Sequence, residues 1–258
     1  SHLQGRQDLD TAGDAARFAP KELTPKQKAM VNAFDRYVCL IEPPKADDDA
    51  FEEHCDVQYA RARTYYEAQH WEEAARAFRE VAHSCKQKDV AVYAAHLYLE
   101  SLNILGTKLS ETRDSCVKTM REDLPVFIES FCSSERLARD PEEYGDKCVQ
   151  FEIVLSDVTR LEAEALVKRA DAGGPDSLAL YERAAELYLS LWEGGGRQAC
   201  IDKTAACAKQ EEILYNAAQA FQSARLIAKA ISVRKILINP DYGLQDTVPA
   251  QKAVYEIG

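Results

Sequence analysis

The sequence lacks the signatures of several large functional classes. No apolar run approaches the ~18–20 residues that a membrane-spanning helix needs, and no CxxC or H-E-x-x-H motif is present. A G-x-S-x-G motif, a glycine-rich phosphate loop and a kinase signature are also missing. The five histidines form no repeated ligand pair. We therefore expect no catalytic residues, no bound metal, no cofactor, no small-molecule substrate and no direct insertion into a membrane.

Positive charge is in short supply. The 258 residues carry 32 Lys and Arg against 43 Asp and Glu, a net charge of -11. Nucleic acids and anionic membranes are themselves polyanions, so this balance disfavours both as partners. A hydrophobic fraction of 46% excludes wholesale disorder and can supply a sizeable core.

Glycine and proline are sparse, at 11 and 9 residues, and fall mainly between long segments rich in Ala, Leu, Glu, Lys, Arg and Gln. Strand signals are nearly absent, so the pattern predicts an all-α fold. The first helix is predicted to begin at Thr24-Pro25, after a flexible segment over 1–23, and one helical domain is predicted over 24–258. Breaks are predicted at Gly173-Gly174-Pro175 and at Gly194-Gly195-Gly196. The helices after the first are predicted over 48–69, 71–84, 88–105, 112–132, 141–171, 176–193, 200–224, 227–238 and 247–258.

Cysteine is moderately common and spread along the chain. One interpretation is up to four structural disulfides in an oxidising compartment such as a periplasm, and the other is buried thiols in a cytosolic protein. Cys200 and Cys207 would lie ~10 Å apart on one unbroken helix, so they can pair only if the chain turns between them. The candidate disulfide cysteines are Cys39, Cys55, Cys85, Cys116, Cys132, Cys148, Cys200 and Cys207.

A pattern of a large residue, then alanine, then two further large or long residues recurs at helical spacing. Small residues let neighbouring helices approach closely, and the bulky ones fill the space beside them. Two of these segments follow helices with an alanine three positions before an aromatic residue, at Ala62 and Ala218. A related helix carries Ala95 and Tyr98. The pattern occurs at Trp71, Ala74, Phe78 and Val81; at Tyr181, Ala184, Tyr188 and Leu191; and at Ile227, Ala230, Arg234 and Leu237.

These helix pairs resemble the tetratricopeptide repeat (TPR) family, whose period is ~34 residues. The best matches are 55–84 and 211–240. The amino-acid sequence of the last repeat is similar to that of long envelope-associated TPR proteins of delta-class bacteria. The resemblance implies a right-handed superhelix of stacked helical hairpins, with an irregular centre where 106–170 match poorly. Residues 247–258 resemble half of a further repeat, with Gly258 at the close-approach position, so the natural chain is expected to continue.

The TPR resemblance also implies a concave groove that binds other proteins or peptides. The family's groove offsets fall on Tyr59, Arg63, Tyr66, Glu67, Tyr215, Gln219 and Gln222. Tyrosine and arginine suit recognition because they combine contact area with directional hydrogen bonds. An alternative is that Tyr66 and Tyr215 pack against an adjacent helix.

The function implied is a non-catalytic scaffold for protein binding, in a periplasmic or other extracytoplasmic complex of a bacterial envelope. The alternatives are an intracellular TPR adaptor with free thiols, a helical enzyme or metal-binding protein with a deep pocket, and a purely structural spacer.

Overall fold

The computed structural model describes residues 16–108 and 113–257, and the regular secondary structure in these ranges is helical throughout. The all-α prediction is therefore confirmed. Close packing divides the chain into two compact units, Ser1–Leu155 and Ser156–Gly258, and the division falls within α7. The α-helices are α1 (Pro25–Leu40), α2 (Ala50–Glu67), α3 (Trp71–Ser84), α4 (Val90–Lys108), α5 (Arg113–Phe131), α6 (Ser134–Arg139), α7 (Pro141–Asp171), α8 (Ser177–Leu191), α9 (Arg197–Ile201), α10 (Gln210–Ser223), α11 (Ile227–Leu237) and α12 (Val248–Ile257).

Local capping chemistry sets the first helix start, as predicted. The Thr24 hydroxyl accepts a hydrogen bond from the Gln27 backbone N–H, and the Gln27 side chain accepts one from the Thr24 backbone N–H. Pro25 occupies the first helical position. Residues 1–15 of the predicted flexible segment lie outside the described residues, and so does Gly258. The flexibility of that segment and the close-approach position of Gly258 therefore stay predictions.

Aromatic rings fill the core of the first unit. The Phe127 ring meets the edge of Tyr98 at a centroid distance of 5.9 Å and lies 6.1 Å from Phe131 and 6.3 Å from Phe151. The rings come from α4, α5 and α7, so these helices share one apolar interior.

A buried carboxylate joins three helices of this unit. The Asp123 side chain, on α5, accepts two hydrogen bonds from Arg79 of α3, at 2.8 and 2.9 Å. The Tyr98 hydroxyl of α4 donates a third, at 2.5 Å, and the His83 ring lies 3.6 Å away. The Asp123 side chain is only 6% exposed, so its charge depends on these partners for solvation.

Acidification is expected to destabilise the first unit through His83. Burial lowers the pKa of His83; the Asp123 charge opposes this, and Arg79 and Lys86 add to it. Because the folded-state pKa lies below the unfolded value of ~6.5, stability is present above that value and is lost as the pH falls toward the folded-state pKa. We expect His83→Gln to reduce the pH dependence of the unfolding free energy between about pH 7 and 5. Urea denaturation at several pH values measures this, and identical slopes for both proteins would contradict it.

A disulfide and two arginines fix the short helix α6. Cys132 pairs with Cys148, closing the loop that contains α6. Arg136 donates to the Lys86 carbonyl at 2.5 Å, and Arg139 donates to the Asp89 carboxylate at 3.0 Å. Residues 86–89 follow Cys85, which is bonded to Cys55. The two bridged regions of this unit are thus tied by polar contacts.

The region between α8 and α10 departs from the prediction. The single helix predicted over 200–224 is wrong for its first ten residues. After α9 the chain turns, with Lys203 at φ 56°, and forms a 3-10 helix over Ala205–Lys209. This turn brings the Cα atoms of Cys200 and Cys207 to 4.7 Å, within bonding range. A disulfide across seven residues is compatible with such a turn and incompatible with a continuous helix.

The three bridges include neither Cys39, which is exposed, nor Cys116, which is buried. Six of the eight candidate cysteines are therefore paired.

The two predicted glycine breaks differ from one another. Gly173 and Gly174 have φ values of 81° and 146° and separate α7 from α8, as predicted. Gly195, with φ 153°, is non-helical and kinks the chain between α8 and α9, so the second predicted break is also present, within a turn over Trp192–Gly196. At Gly196 a Cβ atom would stand 2.1 Å from Gln210 Oε1, so a larger residue there would displace the end of the Gln210 side chain.

Two turns between long helices, one in each unit, have the same backbone geometry, which the turn at Lys203 also adopts. Gln69, between α2 and α3, has φ 62°, and Arg225, between α10 and α11, has φ 63°. In each turn this residue donates its N–H to the carbonyl three positions earlier, and the next residue donates to the carbonyl five positions earlier, all at 2.9 Å. This is the Schellman arrangement, which satisfies the carbonyls at a helix end.

The alanines around the two turns also correspond. One alanine precedes the turn residue by seven positions and another follows it by five. All four side chains are completely buried, as close helix approach requires. They are Ala62 and Ala74 in the first unit and Ala218 and Ala230 in the second.

Candidate functional site

A groove of about 280 Å³ lies in the second unit between α7, α8 and α10. Its floor includes Val167, Tyr188 and Ala220, and its rim is polar. Tyr188 and Ala220 belong to the buried core, so the floor is rigidly packed. The polar and charged rim residues are Glu164, Lys168, Asp171, Tyr181, Asn216, Gln219 and Ser223.

The rim offers hydrogen-bonding groups of several kinds. The amide of Asn216 and the ammonium group of Lys168 have no hydrogen-bond partner in the part of the chain that the structure describes. Tyr181 donates its hydroxyl to Asp171 at 2.5 Å, and Glu164 is paired with Arg160. A carboxylate, an ammonium and an amide around an apolar floor can contact both the main chain and the side chains of a polypeptide.

The two tyrosines of the groove remain protonated donors at neutral pH. Burial raises the pKa of Tyr188, and the nearby Glu164 charge adds to the effect. The hydrogen bond to Asp171 raises the pKa of Tyr181.

Two predicted groove residues of the second unit contact one carboxylate, and the third, Gln222, is connected to it through Arg234. Glu256, on α12, accepts from the Gln219 amide at 3.0 and 3.2 Å and from the Tyr215 hydroxyl at 3.4 Å. It also accepts from the buried Arg234 at 2.7 Å, and Arg234 donates to Gln222 at 2.5 Å. Gln219 lines the groove, whereas Tyr215 and Gln222 do not. All three contribute polar contacts that join α10 to its neighbours.

Tyr59 and Tyr66 of the first unit lie against α3. The Tyr59 ring is 5.7 Å from Phe78, and Tyr66 meets the edge of Trp71 at 5.2 Å. Burial raises the pKa of Tyr66, and a hydrogen bond to Glu100 adds to this. The packing that the alternative interpretation expected for Tyr66 is therefore present.

Arg63 and Glu67 remain at the surface of α2. Their side chains are 43% and 56% exposed and form an ion pair with each other at 2.9 Å. Both are accessible to a partner, whereas the two tyrosines are half-buried against α3.

Sequence reasoning missed the groove residues on α7 and α8. The offsets used came from the TPR resemblance, which is poor over 106–170. A signal was present, because Glu164, Lys168 and Asp171 are spaced by four and three residues and so share one helix face.

Across residues 16–108 and 113–257, no cluster of three or more His, Cys, Asp or Glu could hold a metal ion. No helix within these ranges has the length and apolar character needed to cross a membrane.

Comparison with known protein families found none that matches this chain, and a search of curated proteins found no relative.

Proposed function

We propose that this chain is a non-catalytic, TPR-like helical-repeat scaffold that binds segments of other proteins. The observation that carries the proposal is the matched pair of turns at Gln69 and Arg225, with the same positive φ, the same hydrogen bonds and the same buried alanines. Recurrence of a whole helix–turn–helix unit is the signature of repeat proteins, which stack such units into a superhelix.

The groove between α7, α8 and α10 is the binding surface in this proposal. Its packed floor keeps the rim residues in place before a partner arrives, which limits the conformational entropy lost on binding. The mixed charge of Glu164, Lys168 and Asp171 favours a polar peptide over an apolar helix.

The three disulfides support an oxidising, extracytoplasmic location, because such bonds persist in periplasmic and secreted proteins and are rare in the cytosol. We place the scaffold in a bacterial envelope complex on this ground and on the TPR resemblance. The intracellular adaptor would instead hold eight reduced thiols, and thiol counting on non-reduced protein distinguishes the two.

Selection from a displayed library of random peptides about 12 residues long tests the binding proposal without a known partner. We expect enriched peptides whose affinity falls about five- to tenfold in Asn216→Ala and in Lys168→Ala, since each change removes one or two hydrogen bonds. Titration calorimetry with a selected peptide measures the affinities.

Lys235→Ala is the matched control. Lys235 is exposed on α11 and lies outside the groove. Its replacement by alanine removes the same charge as Lys168→Ala. Equal losses in both lysine variants would assign the effect to net charge, and the absence of any enriched peptide would contradict the proposed function.

A further inference from the structure

Residues 16–21 lie across the turn between α2 and α3. The carbonyl of Phe18 accepts from the Trp71 indole N–H at 2.7 Å, and the carbonyl of Arg17 accepts from the Gln69 amide at 3.1 Å. Farther along, the Lys21 N–H donates to the Ala68 carbonyl at 2.9 Å. The carbonyl of Lys21 accepts from the His70 ring at 2.8 Å, completing four contacts over five residues.

All four contacts are hydrogen bonds to backbone groups of the segment. Three side chains of the turn donate to backbone carbonyls, which every polypeptide carries. Residues 16 and 17 are helical and residues 18–24 are not, so Gln69 and Trp71 contact carbonyls where helical structure ends. The Phe18 side chain adds a sequence-dependent contact, with its ring 6.2 Å from that of Trp71.

The equivalent turn in the second unit shows that these donors are not needed for the turn itself. Arg225 has the same φ and hydrogen bonds as Gln69, but the next two positions are leucine and isoleucine, whose side chains donate no hydrogen bond. Ile227, which corresponds to Trp71, is 52% exposed, whereas Trp71 is 5% exposed. The donors of the first turn therefore serve the segment that crosses it.

We propose that the turn Ala68–Trp71 is a peptide-recognition site, and that residues 16–21 occupy it as a tethered ligand. The partner it fits is a polypeptide segment with an aromatic residue followed by a non-helical stretch whose carbonyls are free to accept hydrogen bonds. A tethered segment acts at an effective concentration near the millimolar range, so it masks the site until it is displaced. The site belongs to the first unit and does not depend on the groove.

The fluorescence of Trp71 can report whether a peptide is bound at the turn. The chain has two tryptophans, so Trp192→Phe leaves Trp71 as the single indole fluorophore. In that background, Phe18→Ala weakens the tethered segment while the full chain is kept. The probe is a capped synthetic peptide of residues 16–23, and a second peptide carries alanine in place of phenylalanine.

We expect saturable binding of the first peptide to the Phe18→Ala chain, at least about tenfold tighter than to the chain with Phe18 intact. The alanine peptide should not saturate. Equal binding to both chains would show that residues 16–21 do not occupy the site. No binding to the Phe18→Ala chain, with native circular dichroism, would overturn the recognition site altogether.

A matched pair of glycine variants identifies the donor. Gln69→Gly and Arg225→Gly each replace a turn residue whose positive φ glycine accepts without strain. We expect Gln69→Gly to weaken peptide binding about fivefold, as for one lost hydrogen bond, and Arg225→Gly to leave it unchanged. Equal effects of the two variants would contradict a role for the Gln69 amide.

Discussion

Replacing Arg79 with alanine is expected to destabilise the first unit by about 1–3 kcal/mol, the usual consequence of leaving a buried hydrogen-bonding group without one of its partners. Asp123 is the member left behind, since its side chain is 6% exposed and that of Arg79 is 51% exposed. Burial acts to raise the pKa of Asp123, but hydrogen bonds from Arg79 and Tyr98 hold it below its ordinary value. Urea denaturation followed by circular dichroism at pH 7 measures the loss.

The pH dependence gives this prediction a second readout. A depressed carboxylate pKa stabilises the folded protein above the unfolded-state pKa, and this stability is lost as the pH falls through the folded-state value. Without Arg79 the carboxylate loses its main partner, so its pKa rises. The difference between the two proteins should therefore shrink as the pH falls through the folded-state pKa of Asp123, which lies below the ordinary value of an aspartate.

Arg76→Ala is the control for Arg79→Ala. Arg76 lies on the same helix, is 83% exposed and stands 3.9 Å from Glu72, so its loss should change stability by no more than about 0.5–1 kcal/mol. Adding Asp123→Asn to Arg79→Ala should restore part of the stability, because it removes the unpaired charge and keeps an acceptor for Tyr98. Equal costs for the two arginine variants would contradict the buried-pair account.

The elements fixed by short-range chemistry were the ones that could be predicted. The start of α1 follows from Thr24, Pro25 and Gln27, which are adjacent in sequence, and the break after α7 follows from two glycines at positive φ. The buried alanines at 62 and 218 were visible as small residues at fixed offsets from an aromatic. Each of these signals needs only a few neighbouring residues.

The contacts that depend on distant residues could not be predicted. Glu256 connects to Gln219 and Arg234 across 37 and 22 residues, and no local pattern indicates that pairing. Eight cysteines allow 105 pairings, so the bridges required coordinates. The α7 side of the groove was missed because repeat offsets served as the template, while α7 itself is a helix of 31 residues that fits no short repeat.

Removing the disulfides one at a time is expected to destabilise the protein in the order of their loop lengths. The bridges span 30 residues for Cys55–Cys85, 16 for Cys132–Cys148 and 7 for Cys200–Cys207. In the chain-entropy model, cross-linking restricts the unfolded chain more as the loop grows, which gives roughly 3.6, 3.1 and 2.4 kcal/mol. Paired Cys→Ala variants and urea denaturation under non-reducing conditions measure the three losses.

Packing and local structure reinforce the two ends of that order. Cys55 and Cys85 are both completely buried, so alanine there also leaves a small cavity, which adds to the entropic loss. The Cys200–Cys207 bridge closes a turn that a continuous helix would abolish, so its removal allows the helix that the local sequence favours over 200–209.

We therefore expect the 55–85 variant to lose the most stability, and the 200–207 variant to lose the least and to gain helical circular dichroism. Cys39→Ser, at an exposed position outside the bridges, is the control and should change neither. If the 200–207 variant were as unstable as the 55–85 variant, loop length would not determine the cost of losing a bridge, and this prediction would be wrong.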